Sequence, residues 1–86
     1  MTGTDLRQTH EVLVVEDEPQ MRFLLSDNLE FEGYKVTAVE SAEQGLSELA
    51  RRLPSLVILD LMLPRMSGFE FCREARARGV AVPILM

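Results

Sequence analysis

The stretch Leu56-Val57-Ile58-Leu59-Asp60 decides the fold. Successive side chains of a strand point to opposite faces of the sheet, and four consecutive apolar residues leave neither face polar. The pattern therefore predicts a strand buried on both faces. Such strands are typical of a parallel sheet covered by helices. A charge directly after a buried run is costly unless it has a partner. Asp60 is therefore the first candidate functional residue.

A second apolar run, VLVV at residues 12–15, ends in Glu16 and Asp17. Pro19 follows where a helix can begin, and apolar residues then recur at helical spacing as far as Gly33. The order of elements, βαβαβαβ, predicts a doubly wound parallel α/β sheet with right-handed crossovers. The remaining predicted elements are a strand at residues 34–39, a helix between Ser41 and Pro54, the strand ending at Asp60, a loop at residues 61–68, a helix at about residues 68–78 and a strand at residues 80–86.

The spacing of apolar residues also predicts which helix faces are buried. Gly45 lies inside the second helix, where glycine lowers helix stability by about 1 kcal/mol relative to alanine, so we expect this helix to be the least stable. The residues expected in the core are Met21, Leu24, Leu25 and Leu29 of the first helix, Ala42, Leu46, Leu49, Ala50 and Leu53 of the second, and Phe69, Cys72 and Ala75 or Arg76 of the third.

Composition excludes several classes of protein. The 86 residues include 9 basic and 14 acidic side chains, a formal net charge of −5, and 47% are apolar, which indicates one small globular domain. No apolar stretch approaches the roughly 18 residues of a transmembrane helix, and residues 1–10 lack the apolar core of a signal peptide. Cys72 is the only cysteine, so no internal disulfide can form. We expect a cytoplasmic protein that contacts neither membrane nor, lacking a basic stripe, nucleic acid.

Three acids are predicted to meet at one edge of the sheet. Ligands of open parallel sheets bind outside the carboxyl ends of the strands, and Glu16, Asp17 and Asp60 converge there if their strands are neighbours. Carboxylates packed so closely repel one another, and an all-oxygen set suits Mg²⁺. An aspartate is also a nucleophile towards phosphoryl groups. Glu16 and Asp17 taken alone would more often be a helix-capping pair than a site, but their convergence with Asp60 favours a functional site.

Residues 12–19 (VLVVEDEP), residues 56–64 (LVILDLMLP) and the pair Ser67-Gly68 resemble the receiver domain of two-component response regulators. The resemblance covers about residues 11–86. It implies a flavodoxin-like fold, an N-terminal tail at residues 1–10, and a receiver domain at residues 11–86 that is truncated after the fourth strand. The roles that it implies are Asp60 as phosphoacceptor, Asp17 as direct Mg²⁺ ligand, Glu16 as the second acid acting through a water, the backbone carbonyl of Met62 as a further metal ligand, and Pro64 and Gly68 as residues of the loop that shapes the site.

The resemblance leaves two functions open. The first is a signalling domain, not an enzyme, that accepts a phosphoryl group from a histidine kinase or phosphotransfer protein. The family's phosphate-reading Thr or Ser and its Lys have no match before Met86, and the only lysine is Lys35, so we expect phosphotransfer to be impaired. The alternative is an interaction module, a homodimer through the uncharged fourth strand and the adjacent sheet face. A flavin-binding fold of the same topology is less favoured, because no Ser/Thr/Gly-rich phosphate loop follows the first strand.

Overall fold

The structure, a computed structural model, describes residues 10–60 and 62–86. The predicted tail, apart from its last residue His10, and Leu61 of the predicted loop lie outside these ranges. Four strands form one parallel sheet in the order β2-β1-β3-β4, which confirms the predicted α/β fold. The elements are β1 (Glu11–Val15), α1 (Pro19–Phe31), β2 (Lys35–Val39), α2 (Ala42–Arg51), β3 (Leu56–Leu59), α3 (Gly68–Ala77) and β4 (Ile84–Leu85).

The register of the central strands brings their carboxyl ends to one level. Val15, the last residue of β1, is paired with Val39 of β2 and with Leu59 of β3. The ladder continues for one more residue, because the amide of Glu16 donates to the carbonyl of Val39 (3.0 Å) and that of Asp60 donates to the carbonyl of Val15 (3.1 Å). The acids that follow β1 and β3 therefore leave the sheet side by side.

The main core lies between one face of the sheet and the helices α2 and α3. Phe71 of α3 is fully buried there, whereas Phe69 is 65% exposed, so the predicted α3 face was wrong at Phe69. It was right at Ala75, which is buried, and at Cys72, which packs against the core. The helix begins with a capping box, in which Ser67 accepts from the amide of Glu70 and the Glu70 side chain accepts from the amide of Ser67. The face that is buried consists of Gly68, Phe71 and Ala75, which also recur at helical spacing. The buried residues of this core are Leu13, Val15, Ala42, Leu46, Leu49, Val57, Leu59, Leu63, Phe71 and Ala75.

Gly45 allows α2 to approach the sheet closely. A Cβ atom added at Gly45 would lie 2.9 Å from Cε2 of Phe71 and 3.0 Å from Cγ2 of Val15. The glycine therefore has a packing role that the sequence alone did not reveal. The predicted α2 face was also too long, since Ala50 and Leu53 are exposed and the helix ends at Arg51.

The opposite face of the sheet is only partly covered. The helix α1 packs over β1 and β2, where Val12 and Val14 are buried, but no residue of α1 is itself fully buried. Met21 and Leu24 were expected in the core and are 45% and 53% exposed. Among the described residues no second helix lies on this side to enclose them, and Leu85 of β4 is 59% exposed.

The fourth strand is shorter than predicted. Instead of residues 80–86, only Ile84–Leu85 pairs with β3. The approach to the strand is held from α3, because Nη1 of Arg76 donates to the carbonyls of Val80 (2.9 Å) and Val82 (2.8 Å). These carbonyls are therefore engaged with a side chain. Among the helices of the described residues, none combines the length and apolar character needed to cross a membrane.

Candidate functional site

Three carboxylates converge at the carboxyl edge of the sheet. Glu16 and Asp17 follow β1, Asp60 follows β3, and one carboxylate oxygen from each lies within 4.8 Å of the others. Glu16 is buried, Asp60 is half-buried and Asp17 is exposed. The residues that the sequence singled out as a cluster are thus adjacent in the fold.

Burial and charge act together on Glu16. Burial raises the pKa of the Glu16 carboxyl, and the nearby carboxylates of Asp60 and Asp17 raise it further. The amide of Glu18, which donates to Oε2 of Glu16 (3.1 Å), lowers the pKa but does not cancel this effect. The cluster therefore holds negative charge at an electrostatic cost, which a bound cation would remove.

The donor set fits a hard divalent cation. Three carboxylates supply oxygen ligands alone, which Mg²⁺ prefers, and the exposed Asp17 leaves one side open to water and to a phosphate oxygen. Soft-metal chemistry is absent from the cluster, since Cys72 packs against the core on α3. Lys35 begins β2 and therefore lies at the end of the sheet opposite the acids, as predicted.

The loop between β1 and α1 is held by hydrogen bonds from the helix. Glu18 caps α1 by accepting from the amide of Met21 (2.8 Å). Nη1 of Arg22 donates to the carbonyl oxygens of Glu16 (2.9 Å) and Asp17 (3.3 Å). Sequence reasoning missed Arg22. The available signal was a cation near the positive N-terminal end of a helix, where positive charge is otherwise unfavourable.

The loop between β3 and α3 begins by orienting Asp60. The amide of Met62 donates to Oδ1 of Asp60 (3.0 Å), while the Met62 side chain is 83% exposed. Leu63 is buried and anchors the loop to the core, and Gly68 is buried at the start of α3. Pro64, also predicted to shape the site, lies exposed between these two points.

The same loop contains a strained residue. Arg65 has a φ of 67°, and the amide of Met66 donates to the carbonyl of Pro64 (2.7 Å), as in the rare classic γ-turn. Nε of Arg65 pairs with Oε2 of Glu43 on α2 at 3.5 Å. Beyond this turn, hydrogen bonds from the Ser67 amide and hydroxyl lower the pKa of Glu70.

Comparison with known sequences identifies related proteins. The family model of the response regulator receiver domain matches residues 12–86. The alkaline phosphatase synthesis transcriptional regulatory protein PhoP of Bacillus subtilis (strain 168) is 40% identical over 76 residues, which are 88% of this chain and 32% of that protein. The chain spans about a third of the length of the curated relatives it matches.

Solved structures give the same picture. The chemotaxis response regulator CheY4 of Vibrio cholerae superposes with a TM-score of 0.86 at 30% identity, covering 90% of this chain and 66% of that one. The response regulator TrrA of Thermotoga maritima, solved in complex with Mg²⁺ and BeF, gives a TM-score of 0.82 at 37% identity and covers 87% and 65%. TrrA has also been solved in complex with the histidine kinase ThkA.

Proposed function

Because this chain belongs to the response regulator receiver domain family, we propose that it accepts a phosphoryl group on Asp60 at a site that binds Mg²⁺. The observation that carries the proposal is the convergence of Glu16, Asp17 and Asp60 within 4.8 Å around a buried carboxyl group. Such a cluster is costly without a cation, and an aspartate beside a divalent cation suits phosphoryl transfer.

In the proposed reaction, Oδ2 of Asp60 attacks the phosphorus of a phosphohistidine donor. A P–O bond forms, and the bond from phosphorus to the donor nitrogen breaks, with the electron pair staying on that nitrogen, which takes a proton from water. The amide of Met62 donates to Oδ1 (3.0 Å), which orients the carboxylate and supports the assignment of Oδ2 as the attacking atom. Mg²⁺, when bound, supplies the positive charge that screens the phosphoryl oxygens.

We assign the remaining roles by the family pattern. Asp17 binds the metal directly, together with Asp60, Glu16 acts through a water, and the main-chain carbonyl of Met62 is a further ligand. The exposure of Asp17 and the burial of Glu16 are in keeping with this division, because the direct ligand faces the open side of the cluster. Pro64 and Gly68 shape the loop that carries Met62.

The proposed partner is a histidine kinase or a phosphotransfer protein in the cytoplasm, and the chain would serve as a signalling domain, not as an enzyme. The response regulator TrrA, to which this chain is similar, forms a complex with a histidine kinase. We propose no nucleic-acid contact from this segment, since its net charge is −5.

A second candidate function is a homodimeric interaction module, with residues 11–86 as the domain and residues 1–10 as a tail. The observation that favours it is the uncharged edge of the sheet, where Leu85 and Met86 are 59% and 50% exposed. An uncharged strand edge beside a partly covered sheet face is a template for pairing with another chain.

The test of the first function is the intact mass of the chain after incubation with Mg²⁺ and phosphoramidate. The proposal predicts one added phosphoryl group that disappears in Asp60→Asn and in EDTA, with slow accumulation because the family's Thr or Ser and Lys are not matched in residues 11–86. The matched control is Asp27→Asn, an exposed aspartate on α1, which should behave as the wild type. Phosphate on Asp60→Asn at the wild-type level, or none on the wild type, contradicts the proposal.

A further inference from the structure

Arg22 is placed to act on the acid pair without touching its carboxylates. It lies on α1, and its side chain is half-buried against the preceding loop. The two N–H groups of Nη1 donate to successive main-chain carbonyls, at 2.9 Å to Glu16 and 3.3 Å to Asp17. The guanidinium thus holds the backbone of both acids from the helix side.

These contacts complete the fixation of a short segment. The amide of Glu16 is held by the carbonyl of Val39 on β2 (3.0 Å), and the amide of Glu18 is held by Oε2 of Glu16 (3.1 Å). Arg22 engages the carbonyl oxygens of the same segment. Hydrogen bonds thus hold this segment at two amides and two carbonyls, which fixes the backbone from which the side chains of Glu16 and Asp17 project.

We propose that Arg22 is a positioning residue for the divalent-cation site of Glu16, Asp17 and Asp60. This inference rests on the proposed function of that site. A cation loses affinity when its ligands must be ordered on binding, and outer hydrogen-bond partners of metal ligands supply that order in advance. Arg22 orders the acid pair through hydrogen bonds to two main-chain carbonyls, so it favours the binding of Mg²⁺ although it is itself positively charged.

The charge of Arg22 acts in the opposite direction, which makes the inference testable by sign. The guanidinium of Arg22, near the three carboxylates, repels Mg²⁺. If charge were the only effect of Arg22, removing this side chain should strengthen Mg²⁺ binding. If Arg22 positions the acids, its removal weakens binding. A lysine keeps the charge but reaches one bond less far along its side chain and lacks the planar fork, so it restores the contacts incompletely.

The experiment is a Mg²⁺ titration of the whole chain, followed through the backbone amide shifts of Asp17 and Asp60 by NMR. For Arg22→Ala we expect affinity to fall about tenfold, the lower end of what the loss of an outer partner costs a metal site. Arg22→Lys should lie between the alanine variant and the wild type. The matched control, Arg73→Ala, removes an exposed arginine of α3 and should leave the affinity unchanged.

The outcomes separate the inference from the function on which it rests. Unchanged or tighter binding by Arg22→Ala overturns the inference while the cation site stands. Absence of Mg²⁺-dependent shifts in the wild type overturns the site and the inference together. The amide spectrum of each variant reports whether it folds, and if Arg22→Ala is unfolded then Arg22→Lys decides, with weaker binding as support and wild-type binding as contradiction.

Discussion

The backbone amide of Asp60 donates to the carbonyl of Val15 at 3.1 Å. This hydrogen bond extends the pairing of β3 with β1 by one residue and places the acid that follows β3 next to the acids that follow β1. The candidate site is therefore a direct product of sheet register. A shift of one residue in that register would turn the Asp60 side chain to the other face of the sheet.

Gly45→Ala should destabilise the chain although it raises helix propensity. The added methyl group would overlap Phe71 and Val15, which are both fully buried, and overpacking of this kind costs about 1–3 kcal/mol. The gain in propensity is at most about 1 kcal/mol. We expect a net loss of about 1 kcal/mol in the free energy of unfolding, measured by urea denaturation. Ser47→Ala, at an exposed position of α2, is the control and should be neutral or slightly stabilising. A Gly45→Ala protein as stable as the control would show that the core rearranges to accommodate the added methyl group, which would contradict the prediction.

The stability of the metal-free chain should depend on pH through Glu16. Its pKa in the folded state is raised above its ordinary value of 4.5, chiefly by burial. The stability that protonated Glu16 contributes is therefore fully present below pH 4.5 and is lost as pH rises through the folded-state pKa. In EDTA, we expect the melting temperature of Glu16→Gln to rise relative to the wild type as pH increases from 4.5 to 7.

Saturating Mg²⁺ should remove much of that difference at pH 7, because the cation offsets the charge of the ionised cluster. The control is Glu30→Gln, at an exposed position of α1. If the melting temperatures of the wild type and Glu16→Gln depended on pH in the same way, burial would not destabilise the ionised carboxylate of Glu16, and the prediction would be wrong.

Arg65→Gly should stabilise the chain by relieving the γ-turn. A non-glycine residue at a φ of 67° costs about 1 kcal/mol, whereas the exposed pair with Glu43 contributes little. Arg65→Ala removes the ion pair with Glu43 but keeps a side chain at the positive φ. It therefore separates the loss of the ion pair from the relief of backbone strain. We expect the glycine variant to have a higher urea midpoint than the alanine variant and a free energy of unfolding larger by up to about 0.5 kcal/mol, because the entropy of glycine offsets about 0.5–1 kcal/mol of the relieved strain. Equal midpoints would mean that the turn is not strained.

Leu85→Lys should lower any self-association of the chain. Lysine on an edge strand blocks pairing between sheets, and Leu85 lies on β4, the last strand of the sheet. Leu53→Lys is a matched control, because Leu53 is 58% exposed, against 59% for Leu85, but lies after α2, away from the sheet edge. Light scattering should show a smaller mean mass for Leu85→Lys alone. A wild-type chain that is already monomeric would exclude the homodimer.

The sequence predicted what depends on chain order and missed what depends on tertiary contact. The apolar run that ends at Asp60 was sufficient for a buried parallel strand, and Glu16 and Asp17 were placed beside it by the same logic. Phe71 was missed because the positions 68, 71 and 75 and the positions 69, 72 and 76 have the same helical spacing, and only packing against the sheet decides which of them is buried. Gly45 was read as a weakness because its neighbours across the core are remote in sequence.

Arg22 was missed for a related reason. A cation near the N-terminal end of a helix was a signal that Arg22 has partners, but those partners are main-chain carbonyls, which the sequence does not identify. The hydrogen bonds become visible only when the loop after β1 has been folded back onto α1. The roles of Met62, Pro64 and Gly68 came from family resemblance, and they stay predictions.

We propose that Asp60 carries the phosphoryl group. The most direct measurement is to incubate the chain with Mg²⁺ and phosphoramidate, reduce the acyl phosphate with borohydride and locate the product by peptide mass spectrometry. Reduction converts a phosphorylated aspartate to homoserine, so the modified position is read from the peptide itself. We expect homoserine at position 60 and at no other acid, and only when Mg²⁺ is present. Homoserine at Asp17 or Asp27, or a phosphorylated chain without homoserine at position 60, would contradict it.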